Sequence, residues 1–161
     1  MGKNINGGSA SGSKSLAQTG YIHAKRINTL IVGGSIFAGI NLTNGSFSDN
    51  GAIRVEQDIA NMKVNGSISG NESNSVVISA VGQANPETSD IAIGTLAVLG
   101  SVNRTNILAG VAPDGKTRNA DASINAVIVG GDWTASNLIA GAVAGADGKF
   151  GTTGDFALHE V

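Results

Sequence analysis

The chain contains no cysteine and only 2 prolines among its 161 residues. Without cysteine it can form neither disulfide bonds nor thiolate metal sites. The low proline content excludes a collagen-like or proline-rich chain. Aromatic residues make up only 4%, so small and β-branched aliphatic side chains must build the core. Such a core suits thin, regular layers better than a globular centre with large anchors.

Charged residues are also scarce, at 14%, and the formal net charge is −2. No basic stripe is present, which argues against a nucleic-acid partner. No apolar run approaches the roughly 18 residues of a membrane span, so we expect no membrane insertion. Residues 1–20 lack the apolar segment of a signal peptide. The surface composition, rich in Asn, Ser, Thr and Gly, favours an extracellular or cell-surface location.

A short phrase of strand-forming residues occurs four times, at residues 27–36, 59–68, 93–102 and 124–133. Each copy begins with isoleucine and continues through an aliphatic residue, a valine and a glycine to a large apolar residue. The glycines are 31 to 34 residues apart: Gly34, Gly66, Gly100 and Gly131. A strand-only repeat of this length predicts a solenoid whose coils stack on one another.

Within each phrase, alternate positions are apolar, which indicates one buried strand face. If the coils stack in register, equivalent side chains form three columns of a core ladder. The first column is Ile27, Ile59, Ile93 and Ile124; the second is Leu30, Met62, Leu96 and Val127; the third is Val32, Val64, Val98 and Val129. The glycine after each third-column valine marks a bend, where a Cβ would clash or φ must be positive.

The sequence therefore predicts an all-β, single-domain parallel β-solenoid of about five coils over residues 1–161. A second short strand follows each bend, and in the first regular coil it is assigned to residues 41–45. Variable loops at one corner would occupy residues 46–57, 83–89, 111–120 and 142–154. The coils are a degenerate first one at 1–26, regular ones at about 27–57, 58–89, 90–120 and 121–154, and the start of another at 155–161.

The Val-x-Gly-Ser-Ile/Val and Ile-Leu-Ala-Gly phrases, with the connector at residues 145–155, resemble repeats of large bacterial surface proteins of planctomycete type. The resemblance covers nearly the whole chain and is loose in the first copy of the phrase and in residues 1–20. It implies a parallel β-solenoid used as an extracellular scaffold or adhesive. It carries over no catalytic residue.

No catalytic constellation can be built from the sequence. His23 and His159 are isolated, and no Ser-His-Asp order, His-x-x-x-His pair or P-loop occurs. The glycine clusters lie in bends between strands, which argues against a dinucleotide site. We therefore expect a non-enzymatic protein with no cofactor other than the calcium considered below.

The two ends of the predicted stack show no pattern of a capping helix. A bare parallel edge recruits another chain, so head-to-tail stacking with copies of itself is one interpretation. A piece of a longer array and a self-capped monomer are the alternatives. The residues predicted to meet at the joint are Ile5, Gly7, Gly8, Trp133, Phe156, Leu158 and Val161. For Trp133, a simple filler role in the last coil is a further alternative.

An aspartate recurs shortly before the phrases, at Asp58, Asp90, Asp121 and Asp155. Stacking would place like charges about 5 Å apart, which is unfavourable. Capping of turn N–H groups is one explanation. Bridging by Ca²⁺, which takes six to eight oxygen ligands, is the other.

These observations favour a structural protein, a β-solenoid subunit that assembles end to end into an extracellular filament or scaffold. The alternative is a binding module of an adhesin. In that case residues 46–57, 111–120 and 142–154 would contact a surface glycan or a protein ligand.

Overall fold

The computed structural model describes residues 3–83 and 90–157, and these residues form strands and turns without a helix. Consequently, the described part of the chain offers no helix of the length and apolarity that a membrane span requires. The first coil contains β1 (Ile5–Asn6), β2 (Ser9–Gly12), β3 (Leu16–Ala17) and β4 (Ile22–Ala24). The second contains β5 (Ile27–Val32), β6 (Ile36–Phe37), β7 (Ile40–Thr43), β8 (Phe47–Ser48) and β9 (Ala52–Val55).

The later coils are simpler. The third contains β10 (Ile59–Val64), β11 (Ile68–Ser69) and β12 (Val76–Ala80), and the fourth contains β13 (Asp90–Val98), β14 (Val102–Asn103) and β15 (Thr105–Ala109). The fifth contains β16 (Ala122–Val129), β17 (Trp133–Thr134) and β18 (Asn137–Ala140), and β19 (Ala142–Val143) and β20 (Phe156–Ala157) follow it.

Three parallel sheets run along the stack. The first sheet has the order β16-β13-β10-β5, the second β1-β6-β11-β14-β17 and the third β18-β15-β12-β9-β4. Two sheets of five strands and one of four make four complete turns and part of another. The predicted fold class, an all-β parallel solenoid, is confirmed.

The register of the first sheet places the repeated aliphatic side chains directly over one another. Ile59 is paired with Ile27 on one side and with Ile93 on the other, and Ile93 is paired with Ile124. The other two predicted columns are paired in the same way along the sheet. Inward residues of all three sheets join one apolar core, which has few side chains larger than Ile or Leu.

The phrase glycines owe their position to close packing. Gly34, Gly66, Gly100 and Gly131 do not have positive φ, so that half of the prediction is wrong. A Cβ on Gly66 would instead overlap the Ser35 Oγ of the preceding coil and approach the backbone of Gly34.

The prediction that all loops lie at one corner is wrong. The first two coils are enlarged between the second and third sheets by the parallel pairs β2–β7 and β3–β8. A later coil is instead extended between the third and first sheets, at residues 110–121. The third-sheet strand of the second coil is Ala52–Val55 rather than residues 41–45, because Ile53 continues the inward column of Ile78. Residues 46–57 are therefore not a loop.

The predicted sixth coil also differs. Phe156–Ala157 is paired antiparallel with Ala142–Val143, whereas a further coil would place it parallel to β16. The Asp155 carboxylate explains the reversal, because it accepts N–H groups from Gly145 at 3.0 Å and Gly151 at 2.6 Å and so closes the preceding loop. Leu158 and Val161 lie outside the described residues.

Candidate assembly interface

The fifth coil leaves the ends of several core columns uncovered. Trp133 continues the buried column of Ile36, Ile68 and Val102, yet it is 39% exposed whereas Val102 is 0% exposed. Leu138 continues the column of Ile107 and is 49% exposed, against 0% for Ile107. The difference arises because Val102 and Ile107 have a neighbouring coil on both sides, whereas Trp133 and Leu138 have one on only one side. The fifth coil therefore presents an apolar end face.

The first-sheet columns show the same trend at this end. Ile124, Val127 and Val129 are only partly buried, although Ile93 and Val98 in the fourth coil are almost fully buried. The strands β16, β17 and β18 are edge strands of their sheets. An edge strand of a parallel sheet carries N–H and C=O groups that can pair with another strand.

The first coil forms the opposite end face. Its edge strands are β1 in the second sheet and β4 in the third, while β5 is the edge of the first sheet. Ile5, Ile22 and Ala24 are partly buried and occupy the same columns as Trp133, Leu138 and Ala140. The two end faces thus display matching positions of the same repeat.

The two end coils carry opposite charge. Residues 1–26 contain four cationic residues and no carboxylate, and residues 121–157 contain four aspartates and one lysine. Arg26 is partly neutralised within the chain, because its Nε lies 2.9 Å from Asp58 Oδ1. The first group is Lys3, Lys14, Lys25 and Arg26; the second is Asp121, Asp132, Asp147 and Asp155 with Lys149. Counting charges coil by coil would have revealed this asymmetry, which the overall net charge hides.

The residues predicted at the joint have different environments. Ile5 and Trp133 lie on opposite end faces, as head-to-tail stacking requires. Gly7 is buried beside Ala38, and Gly8 lines a groove of about 430 Å³ with Phe37 and other residues at the corner between the second sheet and the β2–β7 pair. Phe156 is 57% exposed on β20. Of the set, Leu158 and Val161 fall outside the described residues.

The four aspartates do not form a stacked column. Asp90 is paired with Ala122 rather than with Asp121, because a bulge between Ile91 and Ile93 shifts the register. Each carboxylate that is buried has a partner of its own. Asp58 binds Arg26, and Asp90 accepts the Gln83 N–H at 2.7 Å and the Asn119 amide.

Asp155 caps a loop, whereas Asp121 is exposed. Across residues 3–83 and 90–157, no three His, Cys, Asp or Glu side chains come together as a metal site. Calcium binding stays a prediction for experiment.

Two further aspartates in loops cap tight turns. The backbone N–H of Lys116 donates to Asp114 at 3.1 Å, and with the Arg118 side chain it lowers the pKa of Asp114. The backbone N–H of Lys149 donates to Asp147 at 3.0 Å and lowers the pKa of Asp147 in the same way. Asp147 is therefore charged at neutral pH and contributes to the negative charge of the region after β18.

A polar groove of about 400 Å³ runs beside the third sheet. The Asn137 amide bonds to Asn106 Oδ1 at 2.9 Å and to the Phe150 carbonyl at 3.1 Å, which forms part of the groove wall. Glu72 and Lys149 supply charged groups at its margin.

Comparison with protein-family models, curated proteins and solved structures finds no match to this chain.

Proposed function

We propose that this protein is a structural subunit that stacks head to tail into a filament or scaffold at the outside of a cell. The observation that carries the proposal is the end face formed by Trp133 and Leu138. Both side chains are exposed, whereas the residues that precede them in the same columns of the fourth coil are fully buried. Fully burying a large apolar side chain contributes roughly 1.5–3 kcal/mol, and because Trp133 is 39% and Leu138 is 49% exposed, covering the exposed part of each contributes about half of that or less. The opposite charge of the two end coils supports a second copy as the cover, because complementary potentials favour one partner and one orientation.

The hydrogen-bond pattern within the stack defines the expected joint. In the second sheet, the Ile36 N–H donates to the Ser67 carbonyl at 2.9 Å, and the Val102 N–H donates to the Asp132 carbonyl at 2.8 Å. Continued by one coil, the same pattern pairs the Trp133 N–H with the Asn4 carbonyl of the next subunit. β17 would then lie beside β1 of that subunit, and β18 beside its β4.

This joint leaves room for one more strand in the first sheet, which has four strands where the others have five. The segment predicted to start a further coil, residues 155–161, has the length to fill the gap. It would have to exchange its antiparallel pairing with β19 for parallel pairing with β16. Leu158→Asp tests this step, since a carboxylate on the inner face should prevent filaments while the isolated subunit keeps its β-sheet circular dichroism.

Negative-stain microscopy and fibre diffraction test the proposal as a whole. Five strands per column at about 4.8 Å give each subunit an axial rise of about 24 Å. We expect unbranched filaments with a 4.8 Å meridional reflection and this subunit repeat. Monodisperse particles at all concentrations would refute the proposal.

A binding module is the second candidate, because the groove between Asn106, Asn137 and Lys149 offers amide and charged groups suited to sugar hydroxyls. The first of the three predicted contact loops is lost, since residues 52–55 form a core strand. Glycan-array binding that Asn106→Ala abolishes, without any filament, would favour this candidate over assembly.

A further inference from the structure

The bends between the first and second sheets carry a repeated contact between coils. The residue after each of the first three phrase glycines has a side-chain oxygen that accepts a backbone N–H from the equivalent residue of the next coil. Ser35 Oγ accepts from Ser67 and Ser67 Oγ accepts from Ser101, both at 3.0 Å, and Ser101 Oγ accepts from Asp132 at 3.1 Å. Asn4 Oδ1 makes the first such bond, to Ser35 at 2.8 Å.

Each of these oxygens lies against the glycine of the next coil. Asn4 lies against Gly34, and Ser101 against Gly131, where an added Cβ would overlap the side-chain oxygen. In each contact, the glycine of one coil therefore touches the serine-position residue of the preceding coil, which is the residue that follows that coil's own glycine position.

Both end coils depart from this pattern, and each does so at the position that faces outward. Lys3 occupies the glycine position of the first coil, because the Gly34 N–H donates to the Lys3 carbonyl at 3.1 Å, just as the Gly66 N–H donates to Gly34. Asp132 occupies the serine position of the fifth coil. Both side chains are exposed.

We infer that Asp132 forms an ion pair with Lys3 of the next subunit and that this pair sets the head-to-tail polarity of the stack. The inference rests on the proposed function. In a continued stack, the two side chains occupy the positions that serine and glycine fill inside each subunit. Inside the subunit, a Cβ at this position would meet both the serine oxygen and the glycine backbone of the preceding coil. The Cβ of Lys3 therefore excludes the serine-type hydrogen bond and requires a slightly wider spacing at this bend of the joint, and the Asp132 carboxylate reaches the Lys3 ammonium instead.

The pair discriminates against the wrong orientations. A joint between two first coils would set two cationic coils against each other, and a joint between two fifth coils would set two acidic coils against each other. Like charges at an interface cost more than an exposed ion pair gains, so the pair acts mainly on orientation.

Charge reversal tests the inference in the full chain. Lys3→Glu and Asp132→Lys should each raise the critical concentration for assembly about tenfold or more. An equimolar mixture of the two variants should assemble near the wild-type concentration, because each joint then regains opposite charges, and so should the doubly substituted chain. Lys14→Glu and Asp121→Lys make the same changes of net charge in the same coils and should have much smaller effects.

Cysteine cross-linking locates the contact directly, because the chain has no cysteine of its own. A chain carrying Lys3→Cys and Asp132→Cys should form a ladder of disulfide-linked oligomers on oxidation, and a chain carrying Lys14→Cys and Asp132→Cys should not. If wild-type protein does not assemble, the proposed function fails. If it assembles but the mixture does not rescue the single variants, or the cross-linked ladder is absent, the proposed function stands and the Lys3–Asp132 pair is refuted.

Discussion

The Oγ atom of Ser35 occupies the space that a Cβ on Gly66 would need, and it accepts the backbone N–H of Ser67 at 3.0 Å. Glycine is thus required at this bend for packing rather than for a left-handed backbone. The same relationship recurs between Ser67 and Gly100. It links each coil to the next at the turn between the first and second sheets.

Gly66→Ala should therefore destabilise the subunit. The added methyl group must displace the Ser35 side chain and the Gly34 carbonyl, and overpacking of this kind costs about 1–3 kcal/mol. Urea denaturation monitored by circular dichroism measures the change in the free energy of unfolding.

Ser35→Ala provides the matched comparison. Alone it removes one hydrogen-bond acceptor, which should lower the free energy of unfolding by about 0.5–1.5 kcal/mol. Gly66→Ala should cost less in that background than in the wild type, since part of the overlap is gone. Strict additivity of the two changes would contradict the packing explanation.

The core could be predicted from sequence because its signal is local and repeated. Ile27, Ile59 and Ile93 each begin a phrase with the same apolar alternation, so aligning the copies also aligns the columns. No comparable signal marks the third-sheet strand of the second coil. Residues 40–43 do form a strand, but it belongs to the enlargement of the first two coils, and burial of Ile53 identifies the core strand.

The end faces could be predicted only in part. Trp133 stands out as the only tryptophan in a column of Ile and Val, and the sequence places it in the last complete coil. The significance of Lys3 and Asp132 depends on which atoms touch between coils. Alignment shows that they replace Gly and Ser, but not that those two positions contact each other across successive coils.

Arg26 and Asp58 form an asymmetric ion pair, which leads to unequal effects of removing either partner. Asp58 is buried, whereas the Arg26 side chain is 54% exposed. Arg26→Ala should cost about 1–3 kcal/mol because it leaves a buried carboxylate without its partner. Asp58→Ala should cost less than about 1 kcal/mol, because Arg26 can turn to solvent and Ala92 already occupies the corresponding position in the fourth coil. Urea denaturation of both variants checks the order; the reverse order would contradict this account.

Calcium should have little effect on the melting temperature. Asp58, Asp90 and Asp155 already accept hydrogen bonds from protein groups, so a bridging ion would have to break these contacts. Differential scanning calorimetry with 5 mM CaCl2 and, separately, with EDTA provides the measurement, and MgCl2 is the control for ionic strength. A rise in the melting temperature specific to calcium would contradict this expectation and support the bridging-calcium hypothesis.

Salt should weaken assembly, because oppositely charged end coils attract each other over the Debye length. That length falls from about 10 Å at 0.1 M to about 3 Å at 1 M ionic strength. Sedimentation of filaments across this range of NaCl should show a rising critical concentration. A critical concentration that is constant or falls with NaCl would mean that apolar burial alone drives the joint.

Trp133 should report assembly through its fluorescence. It is the only tryptophan, it is 39% exposed, and its indole N–H donates to the Ser136 carbonyl at 3.0 Å. A second subunit stacked on β17 would cover the ring, so its emission should move to shorter wavelength as the protein concentration rises through the assembly threshold.

Trp133→Asp should prevent assembly, because a carboxylate would be buried at the joint without a partner. Trp133→Ile matches the column residues Ile36 and Ile68 and should preserve assembly, measured by sedimentation. If both variants assemble as well as wild type, the fifth coil is not the joint.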